Sequence, residues 1–162
     1  MKKSAPRTTL KMRLEYSTVC NCKPEHIWQT FQRVEEWPRW SGVIANTQWI
    51  EGAPWQPGSQ FQMQILQPIP VMFRPEVLEC SPPGYVHWIG KTTALNAEQW
   101  FSFEAQPDGT TVMKTWQDFS GPASFMFGES VKTAITNIYV DLFRSLKEEA
   151  EKLARTAISD SE

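Results

Sequence analysis

The sequence predicts an α+β fold: a curved antiparallel sheet covered by one long C-terminal helix, with two short helices after the first strand. Three observations lead there. Residues 10–20, LKMRLEYSTVC, alternate apolar and polar with a period of two. Between Asn46 and Phe119, short runs of the same period are separated by compact turns. After Gly121-Pro122 the apolar period changes to that of a helix and holds to Leu153. Strands joined by tight turns make an antiparallel meander, and a sheet with one apolar face must cover it.

In the first strand Leu10, Met12, Leu14, Tyr16, Thr18 and Cys20 share a face opposite Lys11, Arg13, Glu15 and Ser17. The pattern changes at Pro24, which suits a first helical position, and Glu25 favours the positive helix end. Ile27, Trp28, Phe31 and Val34 form the covered side of this helix. Pro38 breaks it, which places a second short helix over Arg39 to Ala45. In PEHIWQTFQRVEEWPRW (24–40), Trp28, Trp37 and Trp40 then clasp the helix pair against the sheet, with Trp40 nearest the ligand space.

The meander follows from turns at Gly52-Ala53-Pro54, Pro57-Gly58, Gln67-Pro68, Ser81-Pro82-Pro83-Gly84, Leu95-Asn96 and Pro107-Asp108-Gly109. Phe127, Val131, Ile135, Ile138, Leu142, Leu146 and Leu153 make the helical stripe, and the charged KEEAEKLAR segment predicts a helix that leaves the core. SDSE is expected to fray.

The chain has 162 residues, which fits one domain over 1–162 with a core at about 10–153 and flexible ends at 1–8 and 158–162. Its formal charge of -2 gives no field for phosphate-rich partners, so no nucleic acid is expected. No apolar run reaches signal-peptide or membrane-span length, which leads to a cytoplasmic expectation. Cys20, Cys22 and Cys80 are an odd set without a disulfide framework, and His26 and His87 are too scattered to complete a metal site with them. Eight Trp, nine Phe and three Tyr are the strong bias, and they suit either a large core or an aromatic-lined cavity.

A twisted sheet wrapped about a helix leaves space between them. Alternation turns Tyr16, Phe61, Met63, Ile65, Phe73, Val77, Val86, Trp88, Phe101 and Phe103 toward that space, and the helix adds Phe127, Val131, Ile135, Ile138 and Tyr139. Gln99 shares parity with Phe101, and Gln117 with Phe119, which makes them the polar candidates beside Tyr16 and Tyr139. Asp118 would join them if a bulge turned it inward. Trp40 completes the candidate ligand contacts. A fully packed core is the competing reading of the same pattern.

The acids and histidines do not form a catalytic set. His87 alternates outward between Val86 and Trp88, His26 lies in an exposed first helical turn, and Arg74 and Glu76 pair across strands. Glu98 and Glu104 face away from Phe101 and Phe103, and Glu35-Glu36 are helical neighbours that do not converge. No phosphate loop, dinucleotide fingerprint or nucleophile elbow occurs, so no cofactor is expected and no catalytic residue is assigned. SFMFG (124–128) reads as an aromatic gate leading to the long helix.

Four segments resemble the SRPBCC superfamily, which includes birch-pollen-allergen-like proteins, START lipid-transfer domains and polyketide cyclase/dehydrase-like proteins. STVCNCKPEHIWQTFQRVEEWPRW resembles its opening strand and helix pair, WQPGSQFQM its next hairpin, PPGYVHWIG a central strand, and PDGTTVMKTWQDFSGP its closing strand. Together they span about residues 10–153. The resemblance implies the helix-grip fold with a hydrophobic cavity between sheet and helix, and it implies no single catalytic motif. Three functions follow as expectations. The first is a carrier for a hydrophobic, aromatic or polycyclic small molecule. The second is a cyclase or dehydratase-type enzyme working in the same cavity through tyrosine or glutamine donors. The third is an interaction module or homodimer using Trp49, Trp55 and Trp100.

Overall fold

The computed structural model describes residues 12–67 and 70–160. Leu10 and Lys11 of the predicted first strand, residues 1–8, for which the sequence reading expects flexibility, Pro68 of one predicted turn and the last two residues lie outside that range. Among the described residues eight strands pair antiparallel in the order β1-β8-β7-β6-β5-β3-β2, with β4 paired to β3. They are β1 (Met12–Cys20), β2 (Ile44–Glu51), β3 (Gln60–Ile65), β4 (Val71–Phe73), β5 (Glu76–Ser81), β6 (Tyr85–Lys91), β7 (Asn96–Ala105) and β8 (Thr111–Ser120). The helices are α1 (Pro24–Phe31), α2 (Trp37–Trp40) and α3 (Glu129–Asp160). The curved sheet with its long C-terminal helix and short helices after β1 is the helix-grip arrangement that the sequence predicts.

Two boundaries differ from the sequence expectation, for physical reasons. Pro38 lies in the first turn of α2, where its missing N–H has no intrahelical partner to lose, so the proline starts this helix rather than ending the previous one. The second short helix is therefore Trp37–Trp40, and Ala45 belongs to β2. The long helix keeps its contact with the core: Ala150 is fully buried and Ala154 nearly so. Leu153 is exposed instead, and the helix runs through Ser159 and Asp160, which the sequence reading frays.

The core gathers on one aromatic hub. The Phe31 ring, fully buried at the end of α1, lies 5.0 Å from Phe101, 5.2 Å from Trp37, and 5.5 Å from both Trp55 and Phe103. Each such ring removes about 150–250 Å² from water. At about 25 cal/mol per Å² this is about 4–6 kcal/mol, an upper bound against an extended chain. The indoles also serve the backbone. Trp37 Nε1 donates to the Phe31 carbonyl at 2.8 Å and Trp55 Nε1 to the Gln32 carbonyl at 2.9 Å. Those carbonyls lie at the C-terminal end of α1, which leaves such groups without helical partners.

Among the described residues no helix is long and apolar enough to cross a membrane. The tryptophans expected to form an exposed patch are not one surface. Trp55 is buried, Trp49 packs half-buried on Trp55 and Phe61, and Trp100 lies on the opposite side of the sheet.

Candidate functional site

Between the sheet and α3 lies a cavity of about 220 Å³. Strands β6 to β8 supply Trp88, Ala97, Gln99, Phe101, Gln117 and Phe119 to one wall. Met63, Ile65, Val71 and Phe73 of β3 and β4 make a second, and Ile135, Ile138, Tyr139 and Leu142 of α3 close the space from above. Trp37 and Ile44 contribute from α2 and β2, while Gln67, Leu95 and Phe127 come from loops. Gln67 and Val71 are solvent-exposed as well as lining, which puts the mouth beside the β3–β4 hairpin and the start of α3. Phe125 and Met126 are 72% and 83% exposed next to it.

Apart from Gln67 at the mouth, the walls are apolar except at one pole. Gln99 and Gln117 are register partners on β7 and β8, so antiparallel pairing sets their side chains next to each other. Tyr139 donates its hydroxyl to Gln117 Oε1. Gln99 Nε2 donates to Thr115 Oγ1 at 3.0 Å, and Thr115 Oγ1 donates to the Trp100 carbonyl at 2.9 Å. Burial pushes the Tyr139 hydroxyl above its ordinary range, so it stays protonated and acts as a donor. No charged side chain lines the cavity among the described residues.

Backbone at Gly90 helps shape the wall. A Cβ built there would lie 2.1 Å from Cε2 and Cζ of Phe73, so the absence of a side chain lets the Phe73 ring lie against β6.

Of the residues singled out from the sequence, Met63, Ile65, Phe73, Trp88, Gln99, Phe101, Gln117, Phe127, Ile135, Ile138 and Tyr139 line this cavity. The others do not. Phe61, Val77 and Phe103 face the same side but are packed into the core, where the rings brought in by α1 and the β2–β3 connection leave no space. Tyr16 packs on Phe143 at 5.9 Å. Trp40 lies half-buried on Trp37 at 6.5 Å, and it is Trp37 that reaches the cavity. Val131 is 38% exposed, one turn before the part of α3 that lines the space. The residues missed include Trp37, Ile44, Ala97 and Phe119. The last two carried a signal, since they share parity with Gln99 and Gln117.

The opposite face of the sheet holds the titratable groups. β7 and β8 pair without a bulge through Asp118, which therefore stays outward and forms a two-point ion pair with Arg13 at 2.7 and 2.9 Å. His87 is outward too, sharing a 2.7 Å hydrogen bond with Glu98 and stacking on Trp100 at 4.5 Å. Arg74 is exposed, and Glu76 accepts from Gln60 rather than pairing with it. Cys20 and Cys22 place their Sγ atoms 3.2 Å apart at the end of β1, away from the cavity lining. Among the described residues no three His, Cys, Asp or Glu side chains come together as a metal-binding group.

A curved antiparallel sheet gripping a long helix, with an apolar cavity between them, defines a helix-grip protein. The sequence profile described as "Polyketide cyclase / dehydrase and lipid transport" matches residues 11–151, and the chain belongs to this SRPBCC-type family. No curated protein matches the sequence. Solved structures similar in fold include the Zhui aromatase/cyclase from a Streptomyces species, at TM-score 0.76 and 11% identity, covering 91% of this chain and 98% of that one. A START superfamily protein from Mycobacterium smegmatis has TM-score 0.72 and 17% identity, with 87% and 98% covered. The major latex-like protein 151 of Panax ginseng has TM-score 0.71 and 13% identity, with 87% and 98% covered. At these identities the likeness concerns the fold.

Proposed function

We propose that the protein binds a small hydrophobic molecule, aromatic in character, in the cavity between the sheet and α3. The observation that carries this is the cavity itself: about 220 Å³ of space walled by Trp88, Phe101, Phe119, Phe73 and the α3 aliphatics, with the buried glutamines confined to one pole. Small-molecule sites have this make-up, an apolar enclosure with a few placed polar atoms. Membership of a family described by cyclase, dehydratase and lipid-transport activities is consistent with it. Native mass spectrometry and thermal-shift measurements against flavonoid, sterol, fatty-acid and polyketide-like panels test the reading. A retained ligand or a stabilised melting point supports it, and a protein that responds to no apolar compound counts against it.

One observation favours an enzymatic extension of the same site. Tyr139 donates to Gln117 Oε1 and so holds the Gln117 amide with Nε2 free, the kind of preorganised donor that stabilises an enolate as charge develops. Turnover of an enolisable polyketide-like chain, lost in Tyr139→Phe while binding persists, supports this extension. Binding without turnover by the wild-type protein leaves a carrier.

A further inference from the structure

The cavity's size and its hydrogen-bond arithmetic narrow the ligand, given the binding reading above. Size comes first. An apolar cavity of about 150 Å³ holds one benzene ring. The space here is about 220 Å³, enough to hold a second fused ring within the walls, while a third or fourth would have to project through the mouth. Charge comes next. With no acidic or basic side chain among the described lining residues, an ionised ligand would lose its hydration with no opposite charge to replace it.

The polar pole then specifies one substituent. Thr115 has a single hydroxyl proton, and it goes to the Trp100 carbonyl at 2.9 Å. Thr115 is therefore the acceptor in its 3.0 Å bond with Gln99, so Gln99 presents Nε2 to Thr115 and leaves its carbonyl Oε1 for the cavity. Gln117 is engaged the other way round. Its Oε1 accepts from Tyr139, a hydroxyl that burial keeps protonated, which leaves its amide Nε2 as the donor for the cavity. Gln99 and Gln117 are directly opposed across β7 and β8, so the pole offers one acceptor and one donor side by side. A group that both donates and accepts through one atom fits this pair, and a hydroxyl is the smallest such group.

We propose that the cavity selects an uncharged hydroxyarene of one or two fused rings, its hydroxyl donating to Gln99 Oε1 and accepting from Gln117 Nε2 while the rings lie between Trp88, Phe101 and Ile138 on α3. A hydrocarbon of the same outline leaves both glutamine groups unpaired, and a ketone satisfies only Gln117.

Isothermal titration calorimetry of the full chain with four probes tests this: naphthalene, 2-naphthol, 2-naphthoate and 1-hydroxypyrene, at pH 7. The expected order is 2-naphthol tighter than naphthalene by about tenfold, the equivalent of two modest hydrogen bonds, with 2-naphthoate and 1-hydroxypyrene much weaker than either. In Gln99→Leu the ratio of 2-naphthol to naphthalene affinity falls toward one. Equal affinity for naphthalene and 2-naphthol in the wild-type protein overturns the hydroxyl assignment and leaves the binding reading standing. Preference for 1-hydroxypyrene overturns the size limit in the same way. Failure of all four probes to bind overturns this inference, and the binding reading falls with it when the flavonoid, sterol, fatty-acid and polyketide-like panels also give no response.

Discussion

Tyr139 on α3 donates its hydroxyl to Oε1 of Gln117 on β8, joining the long helix to the sheet through the polar pole of the cavity. Both residues are buried. Removing the donor leaves a buried carbonyl without its partner, which costs about 1–3 kcal/mol. Tyr139→Phe is therefore expected to lower the denaturation midpoint with an unchanged denaturant slope, as seen by circular dichroism in urea. No change in the midpoint would show that the bond contributes nothing to the fold.

Gly90 and Phe73 make a second, independent handle on the site. The ring of Phe73 occupies the place a Cβ at residue 90 would take. Because that ring is the free end of a side chain, Gly90→Ala should shift it toward the cavity rather than break the sheet. The expected outcome is a stability within about 1 kcal/mol of the original, since only the end of one side chain has to move. Naphthalene affinity should fall at least several-fold in calorimetry. Unaltered affinity would mean that Phe73 does not bound the ligand space.

Gly121 differs in kind, because its obstacle is backbone. It has φ +97 and ψ 168, and a Cβ there would lie 2.6 Å from the Ala94 carbonyl oxygen. This region belongs to glycine, and placing another residue in it costs of the order of 1–3 kcal/mol before the clash is counted. Gly121→Ala is expected to destabilise the protein more than Gly90→Ala in the same urea series, and the reverse order would contradict the account of both glycines.

For pH dependence, Cys80 is the clearest group. Its half-buried thiol is pushed up to about 11 by loss of solvation. A raised thiol pKa favours the neutral form of the folded state. The associated stability is thus complete below the ordinary value near 9 and is lost as pH rises toward 11. Alkylation of Cys80 by iodoacetamide, followed by peptide mass spectrometry, should stay slow at pH 8 and accelerate only toward pH 11. Fast modification at pH 8 in the folded protein would contradict this.

The fold was legible because each of its signals is local. Strand parity, turn residues and the 3.6 period of α3 are all properties of short stretches, and they place Met63, Trp88, Phe101 and Tyr139 on the correct side. What parity does not contain is which part of that side stays empty. Phe103 and Met63 are equivalent in the pattern, yet Phe31 packs on Phe103 while Met63 borders the cavity. The same limit explains Trp40: the choice between Trp37 and Trp40 turned on whether Pro38 ended one helix or began another. Gln99 and Gln117 were visible by parity, but their donor and acceptor roles depend on Thr115 and Tyr139, which only the folded register brings to them.

The central claim is that an apolar molecule occupies the space between the sheet and α3. Methyl-resolved NMR of the full chain, titrated with naphthalene, tests it most directly. The account predicts saturable shifts at the methyls of Met63, Ile135, Ile138 and Leu142, with the Val19 and Leu78 methyls, exposed on the sheet, unmoved. Shifts confined to exposed methyls, or no saturable shift at the four cavity residues, would contradict it.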